Sequence, residues 1–202
     1  MEKVIKRFTK VLVKRNICTS EEECIYIYGV MLLLTTSLLI MSILFLSIVL
    51  FDFWYGVFYL TLFIPLRVCA GGYHCKTYLS CFFISNIIFV VDMFFANWIM
   101  SLQPLSSGIL SVVLSVVACV YIISNAPVLN SNNPLTINRR SKNRKRAIML
   151  SAAMFVIVVF CTFMLNKLSL SKNFLSIATS VECTIAFLMF IEKIKQKGEK
   201  EC

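Results

Sequence analysis

An all-α, polytopic membrane protein is the fold class this sequence predicts, and three observations carry the prediction. Of 202 residues, 59% are hydrophobic and 15% charged, whereas soluble domains carry about a quarter charged residues. The apolar residues gather into six runs of spanning order, each needing about 20 residues to cross a bilayer. Threading those runs alternately places 18 of the 20 Lys and Arg residues on one side. The positive-inside rule then puts both termini in the cytoplasm. The organisation expected is an interfacial segment (1–24), a six-span bundle (25–191) and a basic tail (192–202).

The first element is an N-terminal amphipathic helix. Val4, Ile5, Phe8, Val11 and Leu12 recur at helical spacing, and Lys3, Lys6, Arg7, Lys10, Lys14 and Arg15 fill the rest. Such a helix lies in the inner interface against anionic lipid; a nucleic-acid partner fits poorly beside so much membrane. Ser20 and Glu23 match a capping box ahead of the first span. The spans are expected at Ile25–Phe51, Phe53–Leu66, Cys81–Leu102, Leu105–Ala126, Ala147–Leu165 and Phe174–Ile191. The second is short, with fourteen residues between Asp52 and Arg67, about 21 Å of helix against about 30 Å of hydrocarbon. Either Arg67 is drawn inward, or the segment is re-entrant together with the residues just after it. The longest break is Pro127–Arg146, rich in Asn, Pro and positive charge. Arg139, Arg140, Lys142, Arg144, Lys145 and Arg146 within it serve either as an insertion signal or as an electrostatic guide for an acidic substrate segment or anionic lipid.

Chemistry is concentrated in Arg67–Cys81, RVCAGGYHCKTYLSC, which holds a glycine pair, the sole histidine and three of nine cysteines. Cys119, Cys161 and Cys183 lie within spans as small hydrophobes. The others fall on the reducing side, so free thiols are expected. A thiol becomes a nucleophile as thiolate, and His74 is the imidazole able to take the proton from Cys81. Seven residues of continuous helix would separate the two by about 10.5 Å, too far for a hydrogen bond. The chain must therefore bend, with Thr77 or Ser80 capping the third span. Gly71 and Gly72 supply unusual backbone angles and close approach. Their N–H groups, or that of Cys81, are candidate oxyanion donors, and Arg67 is placed to clamp a carbonyl or carboxylate. The whole segment is expected to line a shallow cavity facing the cytoplasm.

Other readings of the same residues are open from spacing alone. A lone membrane histidine also serves in gating or proton handling, as a small transporter or channel would require. Cys69, His74, Cys75 and Cys81 have the atoms for zinc, but not a familiar zinc spacing. Cys69 and Cys75 otherwise read as incidental small residues. Asp92 and Glu182 are acids inside spans, costly there; Asp92, about 16 Å deeper than Cys81, is expected to pair within the bundle. No third member of a triad is evident.

The run Arg67-x-x-Ala70-Gly71-Gly72-x-His74, followed by Cys81, resembles the signature of the AgrB (accessory gene regulator B) family of membrane cysteine endopeptidases. The resemblance extends to chain size, a basic amphipathic N-terminus, six spans and the Pro-Val…Asn-Pro basic loop. It implies a His74–Cys81 catalytic dyad, with Arg67, Gly71 and Gly72 in support and neither metal nor cofactor. It further implies an AgrD-like propeptide as substrate, a multi-pass bacterial cell-membrane location and a homodimer. Cys75 departs from the pattern, which has a small non-thiol residue at that place. Cleavage would pass through an acyl-thioester on Cys81, captured by a substrate cysteine to give a thiolactone, or by a serine to give a lactone.

Overall fold

The computed structural model describes residues 23–73, 75, 77–128, 137–164 and 169–201. The amphipathic N-terminal helix, His74 and part of the break after Val128 lie outside the described residues. Six helices run in order: α1 (Glu23–Leu50), α2 (Phe53–Ala70), α3 (Tyr78–Ser101), α4 (Pro104–Asn125), α5 (Ile137–Met164) and α6 (Ser169–Glu201). All six contain a segment long and apolar enough to cross a membrane, and no strand occurs among the described residues. The fold is all-α. By contact density the chain forms two compact units, residues 1–43 and 44–202.

Helix ends follow local chemistry. Asp52 caps α2 by accepting from the Trp54 N–H at 3.1 Å. The same corner is tied by Ser47, whose hydroxyl accepts from the Gly56 N–H at 2.8 Å and donates to the Asp52 carbonyl. Pro104 opens α4 at its first turn, where a missing N–H costs nothing. Thr77 caps α3 with extended backbone (φ −125°, ψ 149°) and accepts from the Ser80 N–H at 3.2 Å. The third span therefore begins at Tyr78, with Thr77, one of the two expected residues, as its cap.

Two sequence expectations change. The second span does not stop at Leu66: α2 runs through Arg67 to Ala70. Eighteen residues give about 27 Å of helix, which narrows the length deficit to about 3 Å, and Arg67 is the residue drawn inward. The break at Pro127–Arg146 is also shorter than expected, because residues 137–146 form the first turns of α5. Arg and Lys are good helix formers, and each of the six cationic side chains remains exposed.

Within residues 44–202, α6 is the axis and packs against α2, α3, α4 and α5. Its Leu175, Ile177, Val181, Ile185 and Met189 are buried, as are Tyr59, Phe89, Ile99 and Ile122 on its neighbours. Outward positions stay apolar, including Phe163 at 85% exposure and Leu105 at 76%, as expected of a surface solvated by lipid tails. Two of the acids turned inward are paired between helices. Asp92 is buried and accepts from the Thr184 hydroxyl, with Tyr59 beside it. Glu182 accepts from the Ser115 hydroxyl. Asp92 therefore pairs within the bundle, as expected, and such bonds act as glue between spans.

Candidate active site at the α2–α3 connection

The chain leaving α2 forms a short strap over one end of α6, and the strap explains both glycines. Gly71 and Gly72 have φ of 75° and 111°, values that side-chain-bearing residues rarely adopt. Space is equally restrictive. A Cβ on Gly71 would run into the Val128 carbonyl, and one on Gly72 would lie 2.6 Å from Arg67 Nη1 and 3.2 Å from the Leu188 carbonyl. Gly71 pairs with Val128 as an isolated bridge, in which the Val128 N–H donates to the Ala70 carbonyl at 2.9 Å. The Tyr73 N–H donates to the Leu188 carbonyl at 3.1 Å, and Lys195 Nζ sits 5.9 Å from the centre of the Tyr73 ring. The backbone that comes close to these glycines is the protein's own.

Arg67 locks the strap from inside. Its Nη1 donates to the Gly71 carbonyl and its Nη2 to the Tyr73 carbonyl. The fork is thus spent on the chain itself, in place of the substrate clamp expected from sequence, since a last-turn side chain reaches the carbonyls just past its own helix end. Electrostatically the guanidinium faces Cys81, Glu192, Cys75 and Tyr59.

Cys81 stands in the first turn of α3, partly accessible and unbridged. Its N–H donates to the Thr77 carbonyl at 3.1 Å, and that of Gly71 to the Arg67 carbonyl at 3.1 Å. Two of the three proposed oxyanion donors are therefore engaged. The Gly72 N–H makes no hydrogen bond among the described residues. The α3 cap and the α2 end claim the other two because both residues lie within hydrogen-bonded helix termini.

Cys75 lies within electrostatic reach of Cys81: burial, followed by the charge of Cys81, pushes the Cys75 thiol up, against the opposing pull of Arg67. Cys69 is buried on α2 and has Arg146 of α5 within electrostatic reach. That contact, with the Val128 bridge, brings the start of the basic α5 to the end of the bundle that carries the strap. Arg139, Arg140, Lys142, Arg144 and Lys145 lie farther out on the same exposed helical segment. Among the described residues, no group of three His, Cys, Asp or Glu gathers so as to hold a metal.

Glu192 is the group sequence reasoning missed. Charge pattern alone groups it with the C-terminal tail, yet it is buried in α6 at 1% exposure. The available signal was helical spacing: Leu188, Glu192 and Lys195 recur at i, i+4 and i+7, one face of one helix. Reading that face as continuing the span would have turned Glu192 inward.

A comparison with known protein families finds that the family model AgrB, accessory gene regulator B, matches residues 5–192. No match was found among curated proteins or among solved structures.

Proposed function

The chain belongs to the AgrB family, which takes part in accessory gene regulator autoinducer processing and acts on an AgrD propeptide; from that premise we propose that it is a membrane cysteine endopeptidase. Cys81 is the nucleophile and His74 its base. The observation that carries this reading is the setting of Cys81: a free, partly accessible thiol in the first turn of a helix, with the Arg67 cation facing it.

His74 accepts the Cys81 proton, and Sγ adds to the scissile carbonyl of the propeptide. The tetrahedral oxyanion is met by the Gly72 N–H, a strap donor that makes no other bond among the described residues. As the intermediate collapses, the imidazolium returns its proton to the departing amine and the C–N bond breaks, leaving an acyl-thioester on Sγ. A substrate cysteine then exchanges one thioester for another and frees Cys81; a serine would give the lactone. Exchange between thioesters needs proximity more than driving force, and a site at the membrane boundary protects the acyl-enzyme from water. The strap faces the cytoplasm in this reading, where an amphipathic propeptide leader would lie along the inner leaflet of the cell membrane. The enzyme works as a homodimer, needs neither metal nor cofactor, and uses the cationic turns of α5 to draw an acidic propeptide tail.

The test is cleavage of such a propeptide by membranes holding equal amounts of each variant. Cys81→Ser and His74→Ala are each expected to abolish cleavage, because loss of either partner removes the function of the pair. Cys69→Ala and Cys75→Ala retain most of it. Cleavage by Cys81→Ala with none by Cys75→Ala would move the nucleophile to the other thiol. An acyl-enzyme recovered on Cys81 by mass spectrometry is the expected intermediate.

A further inference from the structure

Glu182 places a carboxyl within the apolar part of α6, at 0% exposure. An ionisable group at such depth is costly and calls for a partner. No Lys or Arg stands in α3, in α4, in α5 after Arg146, or between Lys172 and Lys193 of α6. Those two lysine positions are ten and eleven residues from Glu182, about 15 Å or more along the helix axis. The neighbours Glu182 does have are hydroxyls. Helices α4, α5 and α6 pack against one another, and at their junction Glu182 Oε2 accepts from the Ser115 hydroxyl, with Ser151 of α5 beside the same carboxyl. Ser111 lies one turn from Ser115 on the same buried face of α4. Ser111 Oγ, Ser151 Oγ and Glu182 Oε1 are enclosed and have no hydrogen-bond partner among the described residues. Ser107 and Thr179 instead turn back to carbonyls of their own helices, at 3.0 and 2.8 Å, the common way to satisfy a hydroxyl inside a helix.

We propose that this three-helix junction binds a monovalent alkali cation, with Glu182 as its charged ligand and the hydroxyl oxygens of Ser111, Ser115 and Ser151 around it. A proton alone on the carboxyl would engage one of the three open oxygens, whereas a cation among them engages all. Carboxylate and hydroxyl oxygens suit a hard cation, not a thiophilic metal. Charge sets the valence. One carboxylate neutralises a monovalent ion, but a divalent ion would leave a net positive charge inside the membrane, with nothing to repay its loss of water. The ion would join α4, α5 and α6 at a level where the bond from Ser115 to Glu182 ties α4 to α6. The site is separate from the strap: Glu182 comes six residues before Leu188, about 9 Å away along α6. It is also separate from Asp92, which is held by Thr184 on the α3 side of α6.

The test is thermal unfolding of the full-length protein in nanodiscs, in sodium chloride against N-methylglucamine chloride at equal ionic strength and near-neutral pH. A ligand that binds only the folded state raises Tm as its concentration rises. The wild type is expected to gain about 3 °C or more for each tenfold rise in sodium above its dissociation constant. Glu182→Gln keeps the shape of the side chain without its charge, and should lose the sodium response. Ser111→Ala and Ser151→Ala should each shift the response to higher sodium, and they serve if the Gln variant does not accumulate. Asp92→Asn, and Ser106→Ala on the exposed face of α4, should leave it unchanged. Equal Tm of the wild type in the two salts would mean that water or a proton alone completes the junction, and would overturn the proposal. So would a sodium response that survives in Glu182→Gln, or one that disappears in Asp92→Asn. Propeptide cleavage plays no part in the measurement, so its outcome is independent of the enzymatic reading.

Discussion

At Gly72, backbone angle and crowding make the same demand, and the proposed oxyanion donor belongs to the same residue. Gly72→Ala must carry φ of 111° and a methyl group 2.6 Å from Arg67 Nη1. Strain of this kind costs about 1–3 kcal/mol, and relief would push Arg67 or the strap aside. The expected outcome is a protein that accumulates but has lost most propeptide cleavage. Gly29→Ala is the matched control: nothing lies within 4 Å of a Cβ there, and Ala favours helix by about 1 kcal/mol. Equal cleavage by the two variants, per molecule in the membrane, would show that strap geometry does not matter to the reaction. Cys75 poses a different residue-scale question, since it lies within electrostatic reach of the proposed nucleophile. Its burial disfavours ionisation, so of the two thiols it is the one expected to remain protonated and to be dispensable.

Among the elements, α5 changes meaning once its first turns are seen to be helical. Arg139, Arg140, Lys142, Arg144, Lys145 and Arg146 are presented on a rod, not on a slack loop, and the rod begins at the end of the bundle that carries the strap. A helix holds its charges at fixed spacing and projects a field that a flexible loop would blur. Neutralising all six to Gln is expected to weaken propeptide binding and slow processing at limiting substrate, with the maximal rate little changed. Salt should imitate the effect in the wild type, as the Debye length falls from about 10 Å at 0.1 M to about 3 Å at 1 M. Normal propeptide affinity in a correctly inserted Gln variant would leave these residues as an insertion signal only.

For the whole molecule, the charge distribution makes one claim about orientation. With both termini inside, 18 of 20 basic residues face the cytoplasm; the opposite orientation leaves two. Variants retaining a single cysteine at Cys75 or at Cys202 are therefore expected to resist an impermeant maleimide added to intact cells, and to react once the membrane is opened. Strong labelling of either from outside would reject the orientation, and with it a cytoplasmic site. The buried Asp92 and Glu182 belong to this scale too. Each is hydrogen-bonded across helices at depth, which ties α6 to α3 and α4 in an environment where hydrophobic attraction between spans is absent.

The sequence by itself determined the number of spans, the class of fold and the side that carries positive charge. It also determined that reactive groups cluster at Arg67–Cys81. These follow from composition, run length and residue spacing, because a bilayer forces each spanning segment to satisfy its backbone within its own helix and to present apolar side chains outward. Even the N-cap of α3 was legible, since capping depends on a residue's nearest neighbours. What the tertiary structure decided depends on segments far apart in the chain. Val128 crosses the strap and explains Gly71. Leu188 and Arg67 enclose Gly72, and Cys75 comes within electrostatic reach of Cys81. Glu192, more than a hundred residues from Arg67, is buried on the α6 face that holds the strap. Arg67 itself read as a clamp for substrate until the carbonyls of Gly71 and Tyr73 were seen to occupy it. Local pattern specifies which face of a helix avoids lipid, but the partner found on that face is set by packing, and the charges of this site act on one another only after α6 has docked between α2 and α3.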